Sequence, residues 1–117
     1  MQFDSLRQIA IADARKAVPT KDGKPFAGLL RHGSLEIEIY APKKVDLQKP
    51  HARDEVYVVA SGSGWFVVEG KRMRFSAGDT LFAAAGEAHR FEDFSDDFLT
   101  WVFFYGPEGG ERASGGK

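Results

Sequence analysis

Three residues of this chain can meet on a divalent metal ion: His51, Glu55 and His89. The stretch HARDEVYVV reads as a strand that opens at His51 and carries Glu55 four residues on. An even separation keeps strand side chains on one face, so His51, Glu55 and Tyr57 point the same way as Val59. His89 begins the segment HRFED after a Gly-containing turn, with Phe91 and Asp93 on its face. Two imidazoles and one carboxylate match the 2-His-1-carboxylate arrangement, which leaves coordination positions open for water or substrate. On spacing alone, a scattered surface placement of the same three residues fits equally well.

The other polar groups offer less. Tyr57 is the one candidate catalytic residue, as a pocket phenol or general base; the ordinary reading is a core tyrosine with its hydroxyl satisfied. His32 sits beside Gly33 at a strand-to-strand turn and reads as exposed. Glu36 and Glu38 are most simply a solvated strand face, the alternative being that they line the mouth of a barrel. Lys43, Lys44 and Lys49 form a small cationic loop. Lys49 either turns into solvent or points towards the pocket and holds an anionic group. The Gly62–Gly64 stretch reads as a hairpin turn, because no strand-to-helix transition follows it. Ser61, Ser63 and Ser95 lack a nucleophile setting.

These groups must be positioned by strands. Ten Phe, two Trp and three Tyr favour a pleated, half-buried surface. In SLEIEIYAP, Leu35, Ile37 and Ile39 alternate with Glu36 and Glu38. From Asp54 onward, glycines divide the chain into five or six short strands, the pattern of an antiparallel sandwich or barrel. Val56, Val58, Trp65, Val67, Trp101 and Phe103 add a second apolar face, more than a monomeric barrel requires. A homodimer through one sheet would bury it. The start, FDSLRQIAIADARKAV, reads as a helix capped by Asp4 and ended by Pro19, so residues 1–20 form a helix packed on a barrel at 21–106. Residues 107–117, polar and Gly-rich, read as a flexible tail.

Composition removes several classes of function. With 117 residues the chain fits one domain, burying about 65% of its unfolded surface. Sixteen basic against seventeen acidic residues leave a net charge of −1, which gives no electrostatic case for nucleic acid or an anionic membrane. The absence of Cys excludes disulfides, thiolate metal sites and a cysteine nucleophile. No apolar run approaches the roughly 18 residues of a membrane span, so the expectation is a soluble cytoplasmic domain.

The segment from Lys49 to Asp93 resembles the two motifs of the cupin superfamily. Against G-x5-H-x-H-x3,4-E-x6-G, this chain has His51, three residues, Glu55, six residues and Gly62. Against G-x5-P-x-G-x2-H-x3-N, it has Gly78, Ala84, Gly86, His89 and Asp93 in register. The first-motif Gly falls on Lys43, the first His on Lys49, the Pro on Ala84 and the Asn on Asp93. The resemblance implies an all-β, cupin-type double-stranded β-helix or jelly-roll barrel of about eight to ten strands, with a short N-terminal helix and often a dimer. It also implies metal ligands His51, Glu55 and His89, one fewer than usual, because a Lys49 ammonium has no lone pair to donate. Gln48 is a weaker replacement, being on the opposite pleat. The expected cofactor is Fe, Mn, Ni or Zn, and the expected partner a small molecule. Two functions stay open: a metal-dependent oxygenase- or lyase-type enzyme, and a non-catalytic binding or sensing barrel.

Overall fold

A computed structural model describes residues 7–112 of the protein. Within them the alternating segments form eight strands: β1 (Phe26–His32), β2 (Leu35–Tyr40), β3 (Asp54–Ser61), β4 (Ser63–Val68), β5 (Lys71–Ser76), β6 (Thr80–Ala83), β7 (His89–Glu92) and β8 (Leu99–Tyr105). Five pair antiparallel in the order β1-β2-β8-β3-β6, and three in the order β5-β4-β7. The two sheets are not closed into one hydrogen-bonded ring, so the jelly roll is a sandwich rather than a sealed barrel.

The core between the sheets is aromatic. Phe91 lies with its ring centroid 5.0 Å from Tyr57, 5.2 Å from Phe66, 5.5 Å from Phe75 and 4.8 Å from Phe98. These tilted and edge-on rings are almost wholly buried and pack the interior on one side of the site.

Strand β2 is inverted relative to the simplest reading of its alternation. Ile39 faces outward, into a second cluster with Ala14, Leu29 and Leu99, while Glu38 and Tyr40 line the interior cavity. The apolar positions of β2 thus serve a layer outside the sheet. That layer is supplied by the N-terminal segment, where the helix is shorter than expected: α1 (Ile11–Lys16) starts from Ala10, which makes no side-chain cap bond. The expected cap, Asp4, lies outside the described residues. Six residues are too few to hold a helix alone. Its anchor is Ala14, fully buried.

Gly62 does not turn a hairpin. Strands β3 and β4 lie in different sheets, so Gly62, with φ of 87°, carries the chain across the sandwich. A Cβ there would lie 2.6 Å from the Phe98 Cα, which leaves room only for glycine.

The start of the Gly-rich stretch is tied down where composition suggested a free tail over 107–117. The Gly109 amide donates to the Ala52 carbonyl at 2.7 Å, and the Glu111 amide donates to Asp54 Oδ2 at 2.8 Å. Asp54 is buried, and its Oδ1 accepts from the Ala85 amide. Residues 113–117 lie outside the described residues. Ending the chain at Pro107 is therefore expected to cost about 1–3 kcal/mol, because one oxygen of a buried carboxylate loses its donor. Ending it at Arg112 is expected to change stability by less than about 0.5 kcal/mol. Urea unfolding of the two truncations checks both values, and equal stabilities would contradict the anchoring role.

Candidate metal centre

The sandwich brings the three expected ligands together from three different places. Glu55 projects inward from β3 in the five-stranded sheet. His89 begins β7 in the opposite, three-stranded sheet. His51 is not on β3 as its parity suggested; it sits in the loop three residues before the strand begins. Its carbonyl accepts from the Gly86 amide at 2.8 Å, and its ring meets Phe104 edge-on with centroids 5.0 Å apart. The loop position allows His51 to reach the site, since Pro50 could not donate in a sheet ladder.

One nitrogen of each imidazole and one carboxylate oxygen lie within 4.8 Å of one another. His51 Nδ1 stands 3.2 Å from Glu55 Oε1, and His89 Nε2 stands 2.9 Å from the same oxygen. The second approach is short, yet its direction is not that of a hydrogen bond: His89 Nε2 and Glu55 Oε2 are both buried with no hydrogen-bond partner. Buried polar atoms are rarely left so. His89 Nδ1 lies 2.9 Å from the Glu87 carbonyl oxygen. Donation there fixes the tautomer and leaves a lone pair on Nε2, the second-shell contact usual for a metal-binding histidine. Two orphaned donor atoms from opposing sheets, converging with a third, fit a divalent ion.

Burial alone pulls the His89 pKa down. The adjoining Glu55 carboxylate and the Glu87 carbonyl outweigh it, and Asp46 adds to them, so the net shift is upward from 6.5. A raised folded pKa means that protonation stabilises the metal-free fold. That contribution is complete below the unfolded value and is lost as pH rises through the folded one. Metal affinity runs the other way, because Nε2 must be unprotonated to ligate. Metal titrations from about pH 5.5 to about pH 8.5 are expected to show affinity falling on acidification from a pH above that of an ordinary imidazole. A flat profile would remove His89 from the ligand set.

The site opens on a cavity of about 780 Å³ whose lining includes Glu38, Tyr40, Lys49, His51, Glu55 and Tyr57. Tyr57 is buried, and its hydroxyl donates to Gln48 Oε1 at 3.2 Å. Burial and the Glu55 charge raise its pKa well above 10, so the phenol keeps its proton at neutral pH. Gln48 is committed elsewhere than the metal site. It accepts from Tyr57, and its Nε2 donates to Asp46 Oδ2 at 2.7 Å. Lys49 lines the cavity from an exposed position. Asp93, expected on the face of His89, turns away at a φ of 48° just after β7 ends and pairs with Arg72 at 2.7 Å. His32 is exposed, as read.

Sequence reasoning missed Asp46. This buried carboxylate accepts from the Tyr40 hydroxyl, the Gln48 amide, Gln48 Nε2 and the Phe91 amide on β7. It fastens the mouth loop at 41–50 to the opposite sheet. The local cue in the sequence is an acid between Val45 and Leu47 in an otherwise polar loop; that both apolar neighbours are exposed while the acid is buried is seen only in the structure.

Residues 36–105 match the family described as Cupin domain. An uncharacterized protein of Streptomyces coelicolor is 37% identical over 85 residues, which cover 71% of this chain and 81% of that protein. Among solved structures, a cupin-2 domain containing protein from Shewanella frigidimarina superposes with a TM-score of 0.65 at 13% identity, covering 84% of this chain and 94% of the other. A protein described as a predicted oxalate decarboxylase from Thermotoga maritima gives 0.55 at 24% identity, over 68% and 77% of the two chains. At these identities the two structures share the fold.

Proposed function

Because the chain belongs to the cupin domain family, we propose that it binds one divalent metal ion through His51, Glu55 and His89 and a small molecule in the cavity above it. The observation that carries this reading is the convergence of His51, Glu55 and His89, with Glu55 Oε2 and His89 Nε2 buried and making no hydrogen bond, beside a cavity lined by His51 and Glu55. Imidazole and carboxylate ligands suit Fe, Mn, Ni or Zn. Such an ion polarises a bound oxygen or lowers the pKa of bound water. In an enzyme of oxygenase or lyase type, Tyr57 acts in its protonated form, as a donor to a developing negative charge rather than as a base. Elemental analysis of protein purified without chelator tests the proposal. About one metal per chain is expected; metal-free protein that takes up none on titration would defeat it.

The non-catalytic alternative keeps the same ligands and is favoured by one observation: the Tyr57 hydroxyl is already engaged by Gln48. Replacing Tyr57 by Phe separates the two readings once a ligand is known. Loss of turnover with binding retained supports the enzyme.

The proposal extends to a homodimer. Leu30, Ile37, Phe103, Val56 and Phe82 are successive register partners across all five strands of the larger sheet. They form an apolar row on its outer face, and Phe82 is 49% exposed. Such a row suits a second copy of the same face about a two-fold axis. Light scattering is expected to give twice the chain mass, and Val56→Lys to halve it; a monomeric parent would overturn this.

A further inference from the structure

Glu38 is the one cavity carboxylate that the metal reading does not use. It is half-buried, and among the described residues no hydrogen bond or ion pair holds it. Its neighbour Glu36 is different, being paired with Arg53 at 2.6 Å and Arg31 at 3.5 Å. Lys43 is also occupied, donating to the Asp96 carbonyl at 3.2 Å. Burial, with Glu36 and Glu55 adding negative charge, raises the Glu38 pKa, so a cation beside it would be welcome.

Register sets its distance from Tyr57, two residues beyond Glu55 on β3. Glu38 pairs with Val102, and Val102 with Tyr57, in one inward-facing row. Two interstrand spacings put the Glu38 and Tyr57 backbones about 9–10 Å apart. Between them lies Val102, which is apolar, and Lys49 lines the same cavity.

Resting on the metal reading of this cavity, we infer that Glu38 selects the ligand: a short ω-amino carboxylate whose oxygens face the metal centre and Lys49, whose hydrocarbon crosses Val102 and whose ammonium pairs with Glu38. The cavity is then polarised, positive at the triad once metal is bound and negative at Glu38, with an apolar span between.

Calorimetry on cobalt-loaded protein tests this with 5-aminopentanoate and hexanoate, which differ in ammonium against methyl. The parent is expected to bind the amino compound about tenfold tighter or more, about 1.4 kcal/mol. In Glu38→Gln that preference disappears, while cobalt affinity stays within about threefold, about 0.7 kcal/mol. Equal binding of both probes by the parent, binding of neither, or a preference that survives in Glu38→Gln overturns the inference. The cobalt absorption spectrum, read in the same samples, reports the metal separately. Protein that takes up no cobalt defeats the metal reading and this inference with it; protein that takes it up without amine preference defeats only the inference.

Discussion

Glu55→Ala is expected to lower affinity for divalent metal by about a hundredfold or more while the eight strands still form. Loss of a contact that merely orients a ligand costs about 10–100-fold, and Glu55 would be a ligand itself. The protein should tolerate its removal when metal-free. In the parent, Glu55 Oε2 makes no hydrogen bond, and truncation removes the contacts of Oε1 with His51 Nδ1 at 3.2 Å and His89 Nε2 at 2.9 Å. His89 keeps its Nδ1 contact with the Glu87 carbonyl and is neutral when deprotonated. Metal-free stability is therefore expected to fall by about 1–2 kcal/mol above the His89 pKa, and by more below it, where Glu55 faces a protonated His89. The parent at about a hundred times its dissociation constant gains about 2.7 kcal/mol from the metal, roughly 10 °C in melting temperature for a domain of this size. The variant should show none of that rise. If it unfolds, and the parent melts alike with and without metal, Glu55 is a structural partner of His89 instead.

The largest expected loss of stability belongs to Asp46→Ala. The carboxylate is 6% exposed and accepts four hydrogen bonds, from the Tyr40 hydroxyl, both nitrogens of Gln48 and the Phe91 amide. Its removal leaves the Tyr40 hydroxyl and the Phe91 N–H without a partner in the core, at about 1–3 kcal/mol each. A total of about 3–5 kcal/mol is expected, seen as a fall of well over 10 °C in melting temperature. Asp46→Asn keeps the volume but turns an amide donor towards donors, and should lie between parent and alanine variant. A loss under about 1 kcal/mol in urea unfolding would mean that water replaces the carboxylate. The same change frees Gln48 from Asp46, so the mouth loop and the Tyr57 hydroxyl lose their common support.

Much of the site was legible because strand parity is a local rule. Glu55, Tyr57 and Val59 share an inward face, and all three are buried as a period of two requires. His51 reached the same site by another route, from a loop, where parity has no meaning. For Asp93 the rule was applied one residue too far, since the chain leaves β7 at Glu92 and turns through positive φ. Asp46 obeys no period, and its importance comes from donors on β2, in its own loop and on β7, 45 residues away.

By itself, the amino-acid sequence determined the strand content, the places where strands break and the chemical type of the candidate metal ligands, because alternation, glycine and side-chain donors act over a few residues. Only the tertiary structure decided which side of each strand is the inside. In β2 the apolar residues Ile37 and Ile39 face outward and Glu38 faces the cavity, since the N-terminal segment covers part of the outer face and the interior holds open space. A period of two separates two faces without saying which one is buried. That choice depends on what packs on either side, and so does the meeting of Glu55 with His89: the two residues lie on opposing sheets, joined only when the sandwich closes.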